Sequence, residues 1–172
     1  MKNSGKIIVG VDEAGRGPVL GPLVMAALAF KEDDLKQLQW MGVKDSKLLS
    51  SERREELFER IHEIAHDFRI EMIEPDAIDS ALREPNTNLN WLEADTAARL
   101  ISELSPDIAI IDCPSPNLQA YKEYVTNRLS EGAKKKTELK VEHKADVNHL
   151  AAAAASIIAK VIRDRSIEHI RS

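Results

Sequence analysis

The sequence predicts an α/β protein whose mixed five-stranded sheet is flanked by helices, and three observations indicate this class. Short apolar runs typical of strands alternate with amphipathic helical segments along the 172 residues, a length that suits one domain. The first two apolar runs are joined by a short turn, which favours an antiparallel pair. The runs near Ile7 and Ile108 are separated by long helical crossovers, which favours a parallel pair.

The first strand is predicted at residues 6–12, where the apolar run IIVGV precedes an aspartate. A turn rich in glycine and proline, at residues 15–18, follows it. A second apolar run at residues 19–30 is the predicted return strand. The next patterns predict a strand at 68–73 and helices at 32–40, 50–66, 75–82 and 88–104. Ser50 or Ser51 caps the second of these helices.

The second part of the chain begins with a buried strand, IAIID, predicted at residues 108–112, and prolines stop it. A helix is predicted at residues 117–129. The three lysines at residues 134–136 are expected in a loop, and residues 138–143 form the last strand. An alanine-rich stretch predicts one long helix over residues 147–169.

The composition excludes several kinds of site and location. The one cysteine, Cys113, cannot form an intrachain disulfide and disfavours a zinc–thiolate cluster. The net charge of −5 means that any nucleic-acid site must rest on a local basic patch. No apolar run is long enough to cross a bilayer, and the N-terminus lacks the pattern of a signal peptide. We therefore expect a cytoplasmic protein without membrane contacts, and a monomer.

Three aspartates stand at corresponding places in the predicted sheet. Asp12 ends the first strand, Asp112 ends the fourth, and Asp146 follows the fifth. The carboxyl ends of parallel strands form the ligand crevice of open α/β sheets, so these side chains are expected to meet there. Crowded carboxylates repel one another, and a cation resolves the conflict. Oxygen ligands select Mg²⁺ or Mn²⁺, and a pair of such ions can hydrolyse a phosphodiester.

Glu13 follows Asp12 directly, and neighbouring residues of an extended strand point to opposite faces. Both reach one site only if the chain bends there, which the glycines that follow would allow. Each aspartate also has a purely structural alternative. Asp12 could end its strand in solvent, Asp112 could form a turn, and Asp146 could cap a helix. The correspondence of the three positions favours the metal site.

The candidates for phosphate contacts are Lys44, Ser46, Lys47, Lys144 and Arg163, of which Lys144 and Arg163 lie near the proposed site in sequence. The first three share one loop, VKDSK, in which the serine hydroxyl could add a hydrogen bond to phosphate. From the spacing alone, a capped, solvated helix start is the favoured explanation of the same loop. His143 could move a proton or orient a ligand, or it could simply end a strand.

Five segments of the chain together resemble the ribonuclease HII family. They occur in the family's order and span nearly the whole chain: VDEAGRGP at residues 11–18, KDSK at 44–47, IDCPS at 111–115, HKAD at 143–146 and AAASIIAKVIRD at 153–164. The first and last are long and specific. The third and fourth are closer to archaeal members of this type 2 ribonuclease H family than to bacterial ones.

The resemblance implies an RNase H-like fold and hydrolysis with two metal ions, Mg²⁺ or Mn²⁺. The substrates it implies are the RNA strand of RNA–DNA hybrids and duplex DNA with an embedded ribonucleotide, cut on its 5′ side to leave 3′-hydroxyl and 5′-phosphate ends. It also implies a place in DNA replication and repair. The four acids that it assigns to the site are Asp12, Glu13, Asp112 and Asp146. The residues that it places near the 2′-hydroxyl are Gly15, Arg16 and Gly17.

Members of the family usually continue beyond the long helix into a Gly-Ser-Gly-Tyr-like segment and a C-terminal helical region. This chain stops at Ser172, so we expect residues 1–172 to form a single RNase H-like catalytic domain without the tyrosine that stacks at the RNA–DNA junction. Two other functions stay open, a DNA-directed nuclease of the same fold and a non-catalytic binding module. Cleavage of duplex DNA containing one ribonucleotide, with and without metal, separates the three.

Overall fold

The computed structural model describes residues 5–16 and 21–171, without the side chains of residues 45–47, 170 and 171. Its strands are β1 (Ile7–Ala14), β2 (Leu23–Lys31), β3 (Asp67–Ile73), β4 (Ile108–Asp112) and β5 (Glu138–Glu142). They form one sheet in the order β3-β2-β1-β4-β5. β1 is antiparallel to β2 and parallel to β4, β2 is antiparallel to β3, and β4 is parallel to β5. The predicted mixed five-stranded sheet is confirmed.

Helices cover both faces of this sheet. In the described part of the chain they are α1 (Leu35–Trp40), α2 (Ser51–Ile64), α3 (Pro75–Leu82), α4 (Leu89–Leu104), α5 (Leu118–Arg128), α6 (Glu131–Lys136), α7 (Ala145–Asn148) and α8 (Leu150–Arg171). α8 packs against β1 and β2 on one face, where it shares a core with α2, and α4 and α5 pack on the other. None of the helices in the described residues has the length and apolar character that a bilayer crossing requires.

The start of α8 lies directly against β1. Residues 151–155 are all alanine and all buried. A Cβ atom at Gly10 would overlap the backbone of Ala151 and Ala152. Small residues on both sides thus let a strand and a helix touch backbone to backbone. This contact brings the segment before α8 close to the carboxyl end of β1.

Two predicted elements differ from the structure. The loop expected at residues 134–136 is wrong, because α6 occupies this region and its N-cap Ser130 accepts a hydrogen bond from the Ala133 backbone N–H. The single helix expected at residues 147–169 is two helices, since His149 adopts an extended conformation between α7 and α8. The His149 Nε2 atom lies 3.0 Å from a carboxylate oxygen of Glu142 on β5, which helps hold the break.

The first strand runs to Ala14, two residues further than predicted. It keeps its antiparallel pairing with β2 through Glu13, opposite Met25, and Ala14, opposite Val24. Its parallel ladder with β4 stops earlier, at Val11. The pairing with β2 therefore carries β1 past the end of β4. Residues 19 and 20 of the predicted second strand lie outside the described residues.

Candidate metal centre

Three aspartates that are distant in sequence meet at the carboxyl ends of β1 and β4. One carboxylate oxygen from each of Asp12, Asp112 and Asp146 lies within 4.8 Å of the others. Asp12 stands in β1 and Asp112 ends β4, in register one step beyond the pair Val11 and Ile111. Asp146 comes from the first turn of α7. The parallel strands and the short helix thus create the cluster that the strand ends predict.

The cluster is electrostatically unfavourable without a cation. Asp12 and Asp146 are only 5% and 6% exposed. Burial, reinforced by the charges of Glu13 and Asp112, raises the pKa of Asp12 well above its usual range. Burial and then the charge of Asp146 raise the pKa of Asp112 to about 6. An all-oxygen donor set this crowded fits a hard divalent ion.

Backbone amides orient two of these carboxylates. The Glu13 N–H donates to an Asp12 side-chain oxygen at 2.8 Å. The Lys144 N–H donates to an Asp112 side-chain oxygen at 3.1 Å, from a left-handed conformation with φ of 58°. Lys144, and not Asp146, is the N-cap residue of α7. Asp146 therefore does not serve as the helix cap that its sequence position also suggested.

Glu13 follows Asp12 on β1, and both residues keep regular pairing with β2. Their carboxyl groups approach each other at the strand end, where, in addition to burial, a side-chain hydrogen bond between them contributes to the pKa of each. Among the described residues, Glu13 stands outside the group of three clustered oxygens. It is nevertheless a neighbour, since burial, then the charge of Glu93 and also that of Asp112 raise its pKa to about 8. Glu13 thus borders the cluster from the α4 side.

Glu93 on α4 is the residue that the sequence analysis missed. It is 0% exposed, and its carboxylate lies 2.7 Å from the Arg16 Nε atom. Burial raises its pKa to about 7, while the Arg16 charge opposes that rise. A signal was present in the sequence, because Glu93 continues the apolar stripe that contains Ala97 and Leu100 at helical spacing. A charged residue in a core position predicts a specific partner.

Gly15 and Arg16 turn away from β1 between two supports. Gly15 has φ of +105°, and a Cβ atom there would lie 2.6 Å from the Pro22 carbonyl oxygen and against the Arg163 side chain. Arg163 donates from Nε to the same Pro22 oxygen at 3.2 Å. Arg16 donates to Asn90 on α4 at 2.7 Å. Gly17 lies outside the described residues.

The remaining candidates do not all lie at the cluster. Lys44 is exposed in a 3₁₀ helix, Val43–Leu48, that packs against α7 and α8, and it lines a pocket with Ile8 and Ile108 near the amino ends of β1 and β4. The side chains of Ser46 and Lys47 lie outside the described residues. The Lys144 side chain is exposed beside Asp112. His143 lies 2.7 Å from the Ser115 carbonyl oxygen through Nε2, which must therefore carry the proton and donate.

Comparisons with known proteins identify the family. The profile of ribonuclease HII matches residues 9–172. A ribonuclease HII of Methanococcus maripaludis is 45% identical over 172 residues, which cover 98% of this chain and 70% of that protein. The crystal structure of ribonuclease H2 from Pyrococcus horikoshii OT3 is 34% identical with a TM-score of 0.86, over 96% of this chain and 75% of that one. The ribonuclease HII in a complex with PCNA from Archaeoglobus fulgidus is 36% identical with a TM-score of 0.84, over 95% and 75%. The RNase H-like fold is thereby confirmed, and the chain belongs to the ribonuclease HII family of endonucleases.

Proposed function

We propose that this chain is a metal-dependent endoribonuclease that hydrolyses the RNA strand of RNA–DNA hybrids. We propose also that it cuts on the 5′ side of a ribonucleotide embedded in duplex DNA and leaves 3′-hydroxyl and 5′-phosphate ends. The observation that carries the proposal is the meeting of Asp12, Asp112 and Asp146 within 4.8 Å. Membership of the family supplies the class of reaction.

The same three aspartates, with Glu13 at the border, are the residues that would hold the ions. Their donor set is carboxylate oxygen alone, which suits Mg²⁺ or Mn²⁺ and not zinc. When bound, two such ions would supply an activated water and stabilise the leaving oxygen of the phosphodiester. Burial and then the neighbouring carboxylates raise the pKa of Asp12 and that of Asp112, and a bound cation would stabilise the charged form of both.

Other residues of the chain would bind and orient the duplex. Gly15 and Arg16, with Gly17, would lie against the ribose, because residues 15 and 16 follow directly from the strand that carries Asp12. Exposed Lys44 and Lys144, together with Ser46, Lys47 and Arg163, are the candidates for phosphate contacts. His143 donates from Nε2 to the Ser115 carbonyl oxygen, which supports a role in holding the strand end and leaves Nδ1 as its acceptor nitrogen.

The test is cleavage of three duplexes by the chain of residues 1–172: an RNA–DNA hybrid, DNA with one ribonucleotide, and all-DNA. We expect cleavage of the first two with Mg²⁺ or Mn²⁺, none with EDTA, and none after Asp112→Asn. Asp76→Asn, an exposed aspartate of α3, is the matched control and should cleave like the wild type. Cleavage would also support the expectation that these residues form a catalytic domain by themselves.

Three outcomes would contradict the proposal. Cleavage of the all-DNA duplex at a similar rate would indicate a DNA-directed nuclease of the same fold. Binding of the hybrid without cleavage in either metal would indicate a binding module. Retained activity in the Asp112→Asn variant would show that the three clustered aspartates do not take part in the reaction.

A further inference from the structure

Arg16 is held by a buried carboxylate. The Arg16 Nε atom lies 2.7 Å from Glu93, whose side chain is 1% exposed, while the Arg16 side chain itself is 33% exposed. Glu93 stands on α4, across from the carboxyl end of β1. The ion pair therefore links the interior of the domain to the segment that leaves the candidate metal centre.

Two further contacts fix the orientation of the same guanidinium group. One terminal nitrogen donates to the Asn90 side-chain oxygen at 2.7 Å, and the other donates to the Pro114 carbonyl oxygen at 3.4 Å. Asn90 belongs to α4, and Pro114 follows β4 two residues after Asp112. A planar guanidinium with partners along three of its nitrogens has little rotational freedom. Arg16 is thus tied to both elements that flank the site.

The burial of Glu93 gives the domain little stability. Removing a carboxylate from water carries a desolvation cost that an ion pair often fails to repay, so an apolar pair of similar size would stabilise the fold as well. Neither oxygen of Glu93 has a hydrogen bond of good geometry among the described residues, which leaves Arg16 as its cation. The arrangement is therefore better explained by what it does to Arg16.

We propose that Glu93 is a positioning residue for substrate selection. Through Arg16 it fixes the backbone of residues 15 and 16, which Pro22 and Arg163 support from the other side. This backbone would lie against the ribose, so its fixed position would determine how well the protein separates ribonucleotide from deoxyribonucleotide. The inference rests on the proposed function and assigns to it a residue that touches neither metal nor nucleic acid.

The test is a double-mutant cycle with Glu93→Gln, Arg16→Ala and the double variant. Each is assayed for kcat and KM on DNA with one ribonucleotide, and for its binding preference for that duplex over all-DNA in EDTA. We expect Glu93→Gln to lower kcat/KM about 10- to 100-fold, the usual range for residues that orient a site. The binding preference should fall toward one. The double variant should lose little more than Arg16→Ala, because both changes break one linkage.

Asp95→Asn is the matched control, because Asp95 is also an acid of α4 that pairs with an arginine, but at the surface, 2.7 Å from Arg128 of α5. It should keep the wild-type rate and preference. Asn90→Ala is the second variant, which loosens Arg16 without changing a buried charge and should lower the preference in the same direction. The unfolding temperature of Glu93→Gln should not fall, because the change relieves a desolvated charge.

Four results would overturn the inference. Losses in Glu93→Gln and Arg16→Ala that multiply in the double variant would show independent roles. A Glu93→Gln variant that keeps its binding preference while its unfolding temperature falls would show a structural role only. A wild type that cleaves the ribonucleotide duplex, with Glu93→Gln unchanged from it, would refute this inference while leaving the proposed function intact, whereas a wild type without cleavage would refute both.

Discussion

Asp112→Asn should stabilise the metal-free protein at neutral pH, although it should abolish the activity. Burial and the charge of Asp146 raise the pKa of Asp112 from 3.8 to about 6. At 1.36 kcal/mol per pH unit the charged form costs the fold roughly 3 kcal/mol, which solvent screening of this half-buried group reduces to about 1–2 kcal/mol. Asparagine removes this cost and keeps an oxygen to accept the hydrogen bond from the Lys144 N–H.

The sign of the effect depends on pH. Below the unfolded pKa of 3.8, Asp112 is protonated in both states and costs nothing. Between about 3.8 and 6 the unfolded chain ionises while the folded protein keeps the proton, so the cost grows over this range and is complete above about 6. We therefore expect Asp112→Asn to raise the free energy of unfolding in EDTA at about pH 8 and to leave it nearly unchanged at about pH 4.

The assay is urea unfolding in EDTA at the two pH values, repeated with excess MnCl₂. Metal binding to the folded wild type adds stability in proportion to its affinity, so the order of the two proteins should reverse when Mn²⁺ is present. Asp76→Asn, on the surface of α3, should follow the wild type throughout. A metal-free Asp112→Asn protein that is less stable than the wild type at the higher pH would refute the account of the cluster as mutually repelling charges.

Further outcomes follow from the same geometry. The Mn²⁺ affinity measured by titration calorimetry should be roughly tenfold lower near pH 5 than well above pH 6, because protons compete for a carboxylate whose pKa is about 6. An affinity independent of pH would contradict this. Gly10→Ala should cost about 1–3 kcal/mol of stability, since its Cβ overlaps the α8 backbone, whereas Gly132→Ala, in open space on α6, should not destabilise. His143→Ala should cost far less kcat than Asp112→Asn in the cleavage assay, because its Nε2–H is committed to the Ser115 carbonyl; equal losses would show that His143 acts in the reaction.

The sequence predicted the sheet well because its strands carry strong local signals. Apolar runs bounded by turn residues located β4 at residues 108–112 without error, and the lengths of the connections gave the parallel and antiparallel pairs. Elements with weaker local signals were predicted wrongly. The short helix α6 was predicted as a loop because it contains a glycine and three lysines, and its formation depends on the Ser130 cap and the burial of Ala133. The break at His149 depends on its contact with Glu142 across the fold, which no local pattern reveals.

The sequence also predicted only part of the candidate site. Asp12, Asp112 and Asp146 could be grouped because each follows a strand, and strand ends meet in a parallel sheet. The direction of Glu13 depended on whether β1 bends, which is decided by pairing with β2 and not by the residues themselves. Glu93 was missed because its partner, Arg16, lies 77 positions earlier in the sequence. Contacts between distant segments are fixed only by the packed fold.

β1 extends two residues beyond the end of β4, and this difference in length determines where the candidate metal centre lies in the sheet. The two extra residues, Glu13 and Ala14, pair with β2 but not with β4, so the sheet ends in a step between β1 and β4. Asp12 and Asp112 lie at the foot of this step, which puts the candidate metal centre at the rim of the sheet and not in the middle of either face.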